Sequence, residues 1–332
     1  MKVIGLDFET YYSKTFSLTK MTTEEYIRSP EFETIGVGIC EQGNAPSYFS
    51  GTKQDIKDYL DSLHLDRQMV VAHNAMFDMA ILNWQFDIRP KAIVDTLSMA
   101  RAIHGTEVGG SLKVLAQHYE LGQKGDEVHN MLGKRRIDIS ADEMRAYGEY
   151  CKNDVELTLG LFEKMAGYFP MEEFKLIDLT IRMFSEPALV LDRDNLNEIL
   201  HHVRNIKKLA QGAVDKEQLM SNDKFAQILT ELGVVPPTKI SPTTGKETYA
   251  FAKSDEGFKA LADHPDERIQ ALVSARLGTK STLEETRTER FIGISLRGKM
   301  PVPLRYYAAH TGRWGGDDKL NLQNLPRKSL LK

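Results

Sequence analysis

The stretch Ile4-Gly5-Leu6-Asp7-Phe8-Glu9-Thr10, IGLDFET, decides how the rest of the chain is read. Taken as a β-strand, it alternates. Ile4, Leu6 and Phe8 share one face, and Gly5, Asp7 and Glu9 share the other. The first is an ordinary core face. The second sets two carboxylates about 7 Å apart, two steps of strand rise. Like charges side by side repel, so either water screens them or something cationic sits between them.

Working outward, TIGVGIC (34–40) is rich in β-branched residues and reads as a second strand, with PSYFS (46–50) as a third beyond the QGN turn. A helical pattern spans 55–63. MVVAH (69–73) is a short apolar run suited to a buried strand, and it leads through Asn74, taken as an N-cap, into the helix AMFDMAILNW. AIVDTL (92–97) repeats the strand-to-helix pattern, and Ser111 opens the helix LKVLAQHY. The loop 122–136 is polar and contains Gly. Ser140-Ala141-Asp142-Glu143 is a capping box for a helix running to about Lys164. Along it Met144, Tyr147, Cys151, Val155, Thr158 and Phe162 recur at three- or four-residue steps as a core face. Strands followed by alternating strands and helices predict an α/β fold with a mixed sheet.

After Phe169-Pro170 the pattern turns helical, with polar Pro- and Gly-containing loops between segments; from Ile292 it reads as extended again. Three segments are expected: 1–170, 171–291 and 292–332. A chain of 332 residues, 41% hydrophobic and 27% charged, has the length for more than one domain and a sizeable core. Cys40 and Cys151 are far apart and in no C-x-x-C pattern, which argues against a disulfide scaffold or zinc cluster. With no signal-like start and no long apolar run, a cytoplasmic protein without membrane contact is expected. The net charge is −4, but it is uneven. Residues 271–332 hold twelve Lys or Arg against five Asp or Glu, whereas the preceding 270 hold 31 against 42. A basic end on an acidic protein suits either a local polyanion site or a solvated surface.

Asp78 falls in the first turns of its helix, and Tyr150 and Asp154 share a helix face at i and i+4. Singly, each has a plain alternative: a wet strand face, a residue favouring the helix dipole, a surface pair. Together, Asp7-x-Glu9, Asn74-Ala-Met-Phe77-Asp78 and Tyr150-x-x-x-Asp154 resemble the three motifs of DEDD-type 3′→5′ exonucleases. The Tyr places the likeness with the proofreading domain of family A, polymerase I-like DNA polymerases. Asp95-Thr96 resembles a further element of that family. The resemblance covers about residues 1–170 and implies a ribonuclease H-like fold.

That chemistry answers the opening question. Hydrolysing a phosphodiester near neutral pH needs an activated water and a stabilised leaving oxygen, and two divalent ions roughly 4 Å apart supply both. Hard ions want oxygen ligands, so clustered carboxylates suit Mg²⁺ or Mn²⁺. The resemblance implies that Asp7 bridges two such ions, that Glu9 and Asp154 complete the site holding the attacking water, and that Asp78 supports the second ion. It implies that Tyr150 orients the water and that Thr10 and Asn74 contact the terminal nucleotide.

HTGRWGGDDKLNLQNLPR (310–327) resembles the segment of family A polymerases just before their first catalytic palm motif. The likeness is carried by Thr311-Gly312-Arg313 and by Asn321-Leu322-Gln323-Asn324-Leu325-Pro326. It implies that Arg313 reaches the minor groove at a primer terminus and that Asn321 and Gln323 contact the duplex nearby. Lys280-Ser281 falls where such polymerases have a helical thumb. The polymerase aspartates and the nucleotide-binding helix of the family lie beyond Lys332. The expectation is therefore an exonuclease domain, a thumb-like helical domain and an incomplete palm, in a bacterial or phage-infected cell. The last segment, short of sheet partners, should be poorly ordered or loosely docked on the thumb. The substrate implied is single-stranded or primer–template DNA, and a separate palm–fingers polypeptide would be the partner of a split polymerase. Two rivals stand beside this reading: a DNA-binding subunit with little nuclease activity, and an RNA 3′-processing exonuclease.

Overall fold

The computed structural model describes residues 1–125, 131–211, 215–280 and 283–325. Ser281, Pro326, the Lys280 side chain and residues 126–130 of the polar loop lie outside the described residues. The chain divides into two units. The first combines Met1–Val190 with Arg297–Leu325, and the second is built on Leu191–Leu296.

The first unit is an α/β fold on a five-stranded mixed sheet. In chain order it contains β1 (Val3–Thr10), α1 (Thr23–Arg28), β2 (Thr34–Glu41), β3 (Ser47–Phe49), α2 (Lys53–Ser62), β4 (Met69–Ala72), α3 (Met76–Phe86), β5 (Ala92–Asp95), α4 (Thr96–His104), α5 (Leu112–His118), α6 (Ala141–Ala166) and α7 (Met171–Ser185). The strand order is β3-β2-β1-β4-β5, with β1 antiparallel to β2 and parallel to β4. The first three strands form a meander, and β4 and β5 are added by crossover helices, as their βαβ-like pattern requires.

Alternation along β1 is as the sequence predicts, but neither face is wet. On one side Leu6 and Phe8 pair with Ile39 and Val37 across the ladder, and Phe8 stacks on Phe86 of α3 at 5.9 Å. On the other, Gly5, Asp7 and Glu9 lie beside Cys40, Gly38 and Gly36. The glycines let α6 come down onto this face. A Cβ on Gly38 would stand 2.7 Å from the Cys151 sulfur, and one on Gly5 would stand 2.8 Å from Leu159. Those gaps are closer than side-chain carbons approach, so the helix would have to lift. The Ser140 capping box starts α6 as expected: Ser140 Oγ accepts the Glu143 N–H at 3.3 Å, and the Glu143 carboxylate accepts the Ser140 N–H at 3.0 Å.

Two local expectations fail. Asn74 is not an N-cap. It takes the left-handed conformation (φ 67°), and α3 begins after Ala75 with no side-chain cap. The Asp95 carboxylate does that work from a neighbouring strand end, accepting the N–H groups of Asn74 (2.8 Å) and Ala75 (3.2 Å) while also capping α4. The chain from Ile292 also does not turn extended at once, since the helix that contains it continues to Arg297.

The second unit holds α8 (Arg193–Gln211), α9 (Lys216–Met220), α10 (Asn222–Glu231), a hairpin of β6 (Thr238–Ile240) with β7 (Glu247–Tyr249), α11 (Glu256–Ala262), α12 (Glu267–Lys280) and α13 (Leu283–Arg297). Phe225, Phe258, Leu229, Ile269 and Val273 close its core.

The segment after α13 is tied to the first unit rather than loosely placed on the second. Met300 donates its N–H to the Leu189 carbonyl at 2.9 Å, and Val302 donates to Met183 at 3.0 Å. The Trp314 indole N–H reaches Thr180 Oγ1 at 3.0 Å, and Asp318 accepts the Thr23 N–H at 2.6 Å at the start of α1. A short hairpin of β8 (Leu304–Arg305) and β9 (Gly315–Gly316) lies within this segment.

Candidate active site

Three elements converge on the α6-facing side of β1. Asp7 and Glu9 project from β1, which twists into a bulge between Glu9 and Thr10. Asp78, in the first turn of α3, is held by the backbone of that strand: the Phe8 N–H donates to Asp78 Oδ1 at 3.1 Å. Tyr150 and Asp154 lie one turn apart on α6, close enough for the Asp154 charge to act on the Tyr150 phenol. Glu9, Asp78 and Asp154 are buried, at 6%, 3% and 4% exposure, and Asp7 is half-buried. Donor atoms of Asp7, Glu9 and Cys151 all lie within 4.8 Å of one another.

Four acids of one sign in so little solvent disturb each other. Burial, and then the Asp154 charge, push the Asp7 carboxyl up to about 7. Burial and Asp7 push Glu9 and Asp78 well above the usual carboxylate range. The neighbouring Tyr147 phenol offsets part of this at Glu9. Tyr150 is raised by burial and by Asp154, so its phenol stays protonated. The Cys151 thiol is also raised, by burial and by Asp7. It is therefore a protonated neighbour, with its sulfur 3.6 Å from Asp7 Oδ2. The set offers hard oxygen donors, a repulsion that a cation would relieve, and one protonated soft donor. That chemistry fits divalent ions of the Mg²⁺ class held by Asp7, Glu9, Asp78 and Asp154.

Beside these groups runs an open cleft of about 1090 Å³, whose lining includes Asn74, Arg101, Lys124, Tyr150, Arg305 and Tyr307. Two of these, Arg305 and Tyr307, come from the C-terminal segment of the same unit. Neither stood out in the sequence, because nothing local marks a residue that reaches a site by docking. Lys124 was missed for a similar reason, lying in a loop with no periodic pattern, and Tyr147 was read only as core. His73, on the cleft wall, is held neutral by burial; it bonds Thr96 Oγ1 at 2.9 Å and the Gly110 carbonyl at 3.0 Å, fixing the loop after α4.

Other residues expected to make contacts have local partners. Thr10 Oγ1 bonds the Tyr26 hydroxyl at 2.9 Å. Arg313 is exposed, with Nε donating to Thr311 Oγ1 at 3.1 Å. Asn321 Oδ1 accepts the backbone N–H of Gln323 at 3.0 Å, while the Gln323 side chain is exposed. No helix among the described residues is long and apolar enough to cross a membrane.

Comparison with known proteins bears on the family and the fold. A family described as 3′-5′ exonuclease matches residues 1–167. No curated protein matches the chain. Among solved structures, the POL domain of Pol1 from M. smegmatis, in complex with DNA primer-template and dNTP, is similar over 98% of this chain, with 16% identity and a TM-score of 0.59. This chain spans 53% of the length of that one. RNase D from Trypanosoma brucei matches 55% of this chain and 65% of its own, with 16% identity and a TM-score of 0.42.

Proposed function

The chain belongs to the 3′-5′ exonuclease family of the polymerase A type, and from that premise we propose that it removes nucleotides from the 3′ end of single-stranded or frayed DNA as the proofreading part of a family A polymerase. One observation carries the reading. Asp7, Glu9, Asp78 and Asp154 gather with Tyr150 at the edge of a cleft that carries basic and aromatic side chains. Two divalent ions, Mg²⁺ or Mn²⁺, would supply there an acidified water and charge compensation for the leaving oxygen.

The protein's own residues do the rest. Asp7, Glu9, Asp78 and Asp154 would hold the ions. The Tyr150 hydroxyl, kept protonated beside Asp154, would orient the attacking water without having to ionise. Thr10 and Asn74 contact the terminal nucleotide, and Arg101 and Arg305 offer charge to the phosphates entering the cleft. A mismatched primer end unpairs more readily, so it reaches such a cleft more often. The thumb-like reading of 171–291 and the palm-like reading of 292–332 place Lys280, Arg313, Asn321 and Gln323 on a duplex. That the similar Pol1 structure is a complex with DNA primer-template supports a nucleic acid as the ligand. The candidate metal site lies at Asp7 and Glu9 of β1, so primer shortening is the activity proposed for this chain.

The experiment is a strand labelled at its 5′ end, incubated with Mg²⁺ or Mn²⁺, with and without chelator, in DNA and RNA versions. Stepwise shortening from the 3′ end, lost in chelator and faster on DNA, is expected. Chelator-resistant cleavage would end the metal assignment, and faster cleavage of RNA would end the DNA assignment.

A further inference from the structure

Lys124 stands where a cation is wanted. Its ammonium pairs with Asp154 Oδ2 and lies 4.9 Å above the Tyr150 ring. The same charge acts favourably on Asp7 and Glu9. Its loop is pinned next door: the Asn153 side-chain amide donates to the Gln123 carbonyl at 3.0 Å, one residue before Lys124 and one before Asp154. The pairing is therefore anchored, not a chance reach of a long side chain. Lys124 is also 25% exposed against 6% for Asp154, and it lines the cleft. Its charge can thus turn from the carboxylate toward the cleft without moving the loop's anchor.

Building on the exonuclease reading, we propose that Lys124 is a tethered counter-ion that competes with a divalent metal for Asp154 and, when displaced, binds the backbone phosphate of the strand in the cleft. An ammonium and a divalent ion on the same carboxylate repel each other, so each weakens the other's hold on Asp154. The four methylenes of the side chain allow the ammonium to swing without backbone change. The displaced charge then faces the region where the substrate phosphate must pass. In this way Lys124 couples metal loading to strand binding: it opposes the first and assists the second.

The test uses the full chain, with Mn²⁺ titrated by calorimetry in the absence of DNA. Lys124→Met should bind Mn²⁺ about 5- to 10-fold more tightly than wild type. In Ca²⁺, its affinity for an oligo(dT) strand ended in a phosphorothioate should fall several-fold, with the salt slope reduced by about one. Lys124→Arg should keep both wild-type values, because the charge and reach remain. Unchanged Mn²⁺ affinity in Lys124→Met, beside wild-type binding that Asp154→Asn abolishes, would overturn the competition alone. Unchanged strand affinity and salt slope would overturn the phosphate contact. Absence of Asp154-dependent Mn²⁺ binding in the wild type would overturn the site reading and this inference with it.

Discussion

Arg276 of the second unit and the Asp7–Glu9–Asp78–Asp154 cluster of the first are both buried charge, but only one is closed by its surroundings. Arg276 has no exposed surface. Its guanidinium donates to the Leu219 carbonyl at 2.6 Å, to the Ser221 carbonyl at 3.1 Å and to the Asn222 side chain. It also lies over the Phe225 and Phe251 rings, at 4.2 and 4.9 Å. Burial pulls its pKa down only to about 10, so it stays charged at neutral pH. The acidic cluster gathers carboxylates, and Asp7, Glu9 and Asp78 are driven toward protonation. Buried charge that the fold meets with oriented carbonyls, as it does for both terminal nitrogens of Arg276 though not its Nε, serves architecture. Buried like charge left in competition for protons serves a ligand.

The strongest attack on this contrast is on the acidic side. Asp7→Ala and Asp154→Ala should each lower turnover on a single strand by on the order of 10³-fold, about 4 kcal/mol on the barrier. Circular dichroism should show the fold intact. Turnover within a few-fold of wild type would remove these residues from the chemistry. On the basic side, Arg276→Met should cost about 3 kcal/mol in urea unfolding, since the carbonyls it holds lose their donor. Turnover per folded molecule on a short single strand should hold. A variant as stable as wild type would make Arg276 an ornament of its core.

The contrast also has a pH signature. Asp7 is raised in the folded protein from 3.8 to about 7, so between those values the folded state holds more protons than the unfolded state. Stability therefore falls as pH rises through that window. In chelator, Asp7→Asn should be more stable than wild type at high pH by about 2 kcal/mol, less than the full shift would give because neighbouring acids share the proton. The gain should vanish below a pH of about 4. A gain that is equal at every pH would show that repulsion is not its cause. The smallest effect is Tyr150→Phe, expected to slow turnover about tenfold, or about 1.4 kcal/mol, with strand affinity unchanged. Weaker strand binding with normal turnover at saturation would make Tyr150 an anchor for substrate instead.

Much of the site could be read from the chain because its parts are local. The alternation in IGLDFET, the Ser140 capping box and the i, i+4 pair each need only a few adjacent residues. What escaped depends on distant partners. Asn74 has the composition of an N-cap, but Asp95 takes the amides and frees it to turn left-handed. Ile292 and Ile294 suggest strand by their β-branching, yet Phe291 and Ile294 are buried at helical spacing and the helix runs on. Tyr147 looks like any core aromatic until Glu9 is placed against its hydroxyl. The role of the C-terminal segment as a cleft wall depends on bonds such as Trp314 to Thr180, which no periodicity announces.

The backbone bond between Met300 and Leu189 has a consequence for how the protein folds. The chain leaves the first unit after Val190 and re-enters it at Arg297, so Leu191–Leu296 is an insertion whose two ends must be brought together. Closing so long an unstructured loop costs entropy that grows only with the logarithm of its length, about 0.6 kcal/mol per doubling. If the insertion folds first, its ends are set by its own structure and most of that search is removed. The Arg305–Tyr307 wall of the cleft would then be the last part of the first unit to arrive, after a carboxylate site that needs only residues from the N-terminal half of the chain.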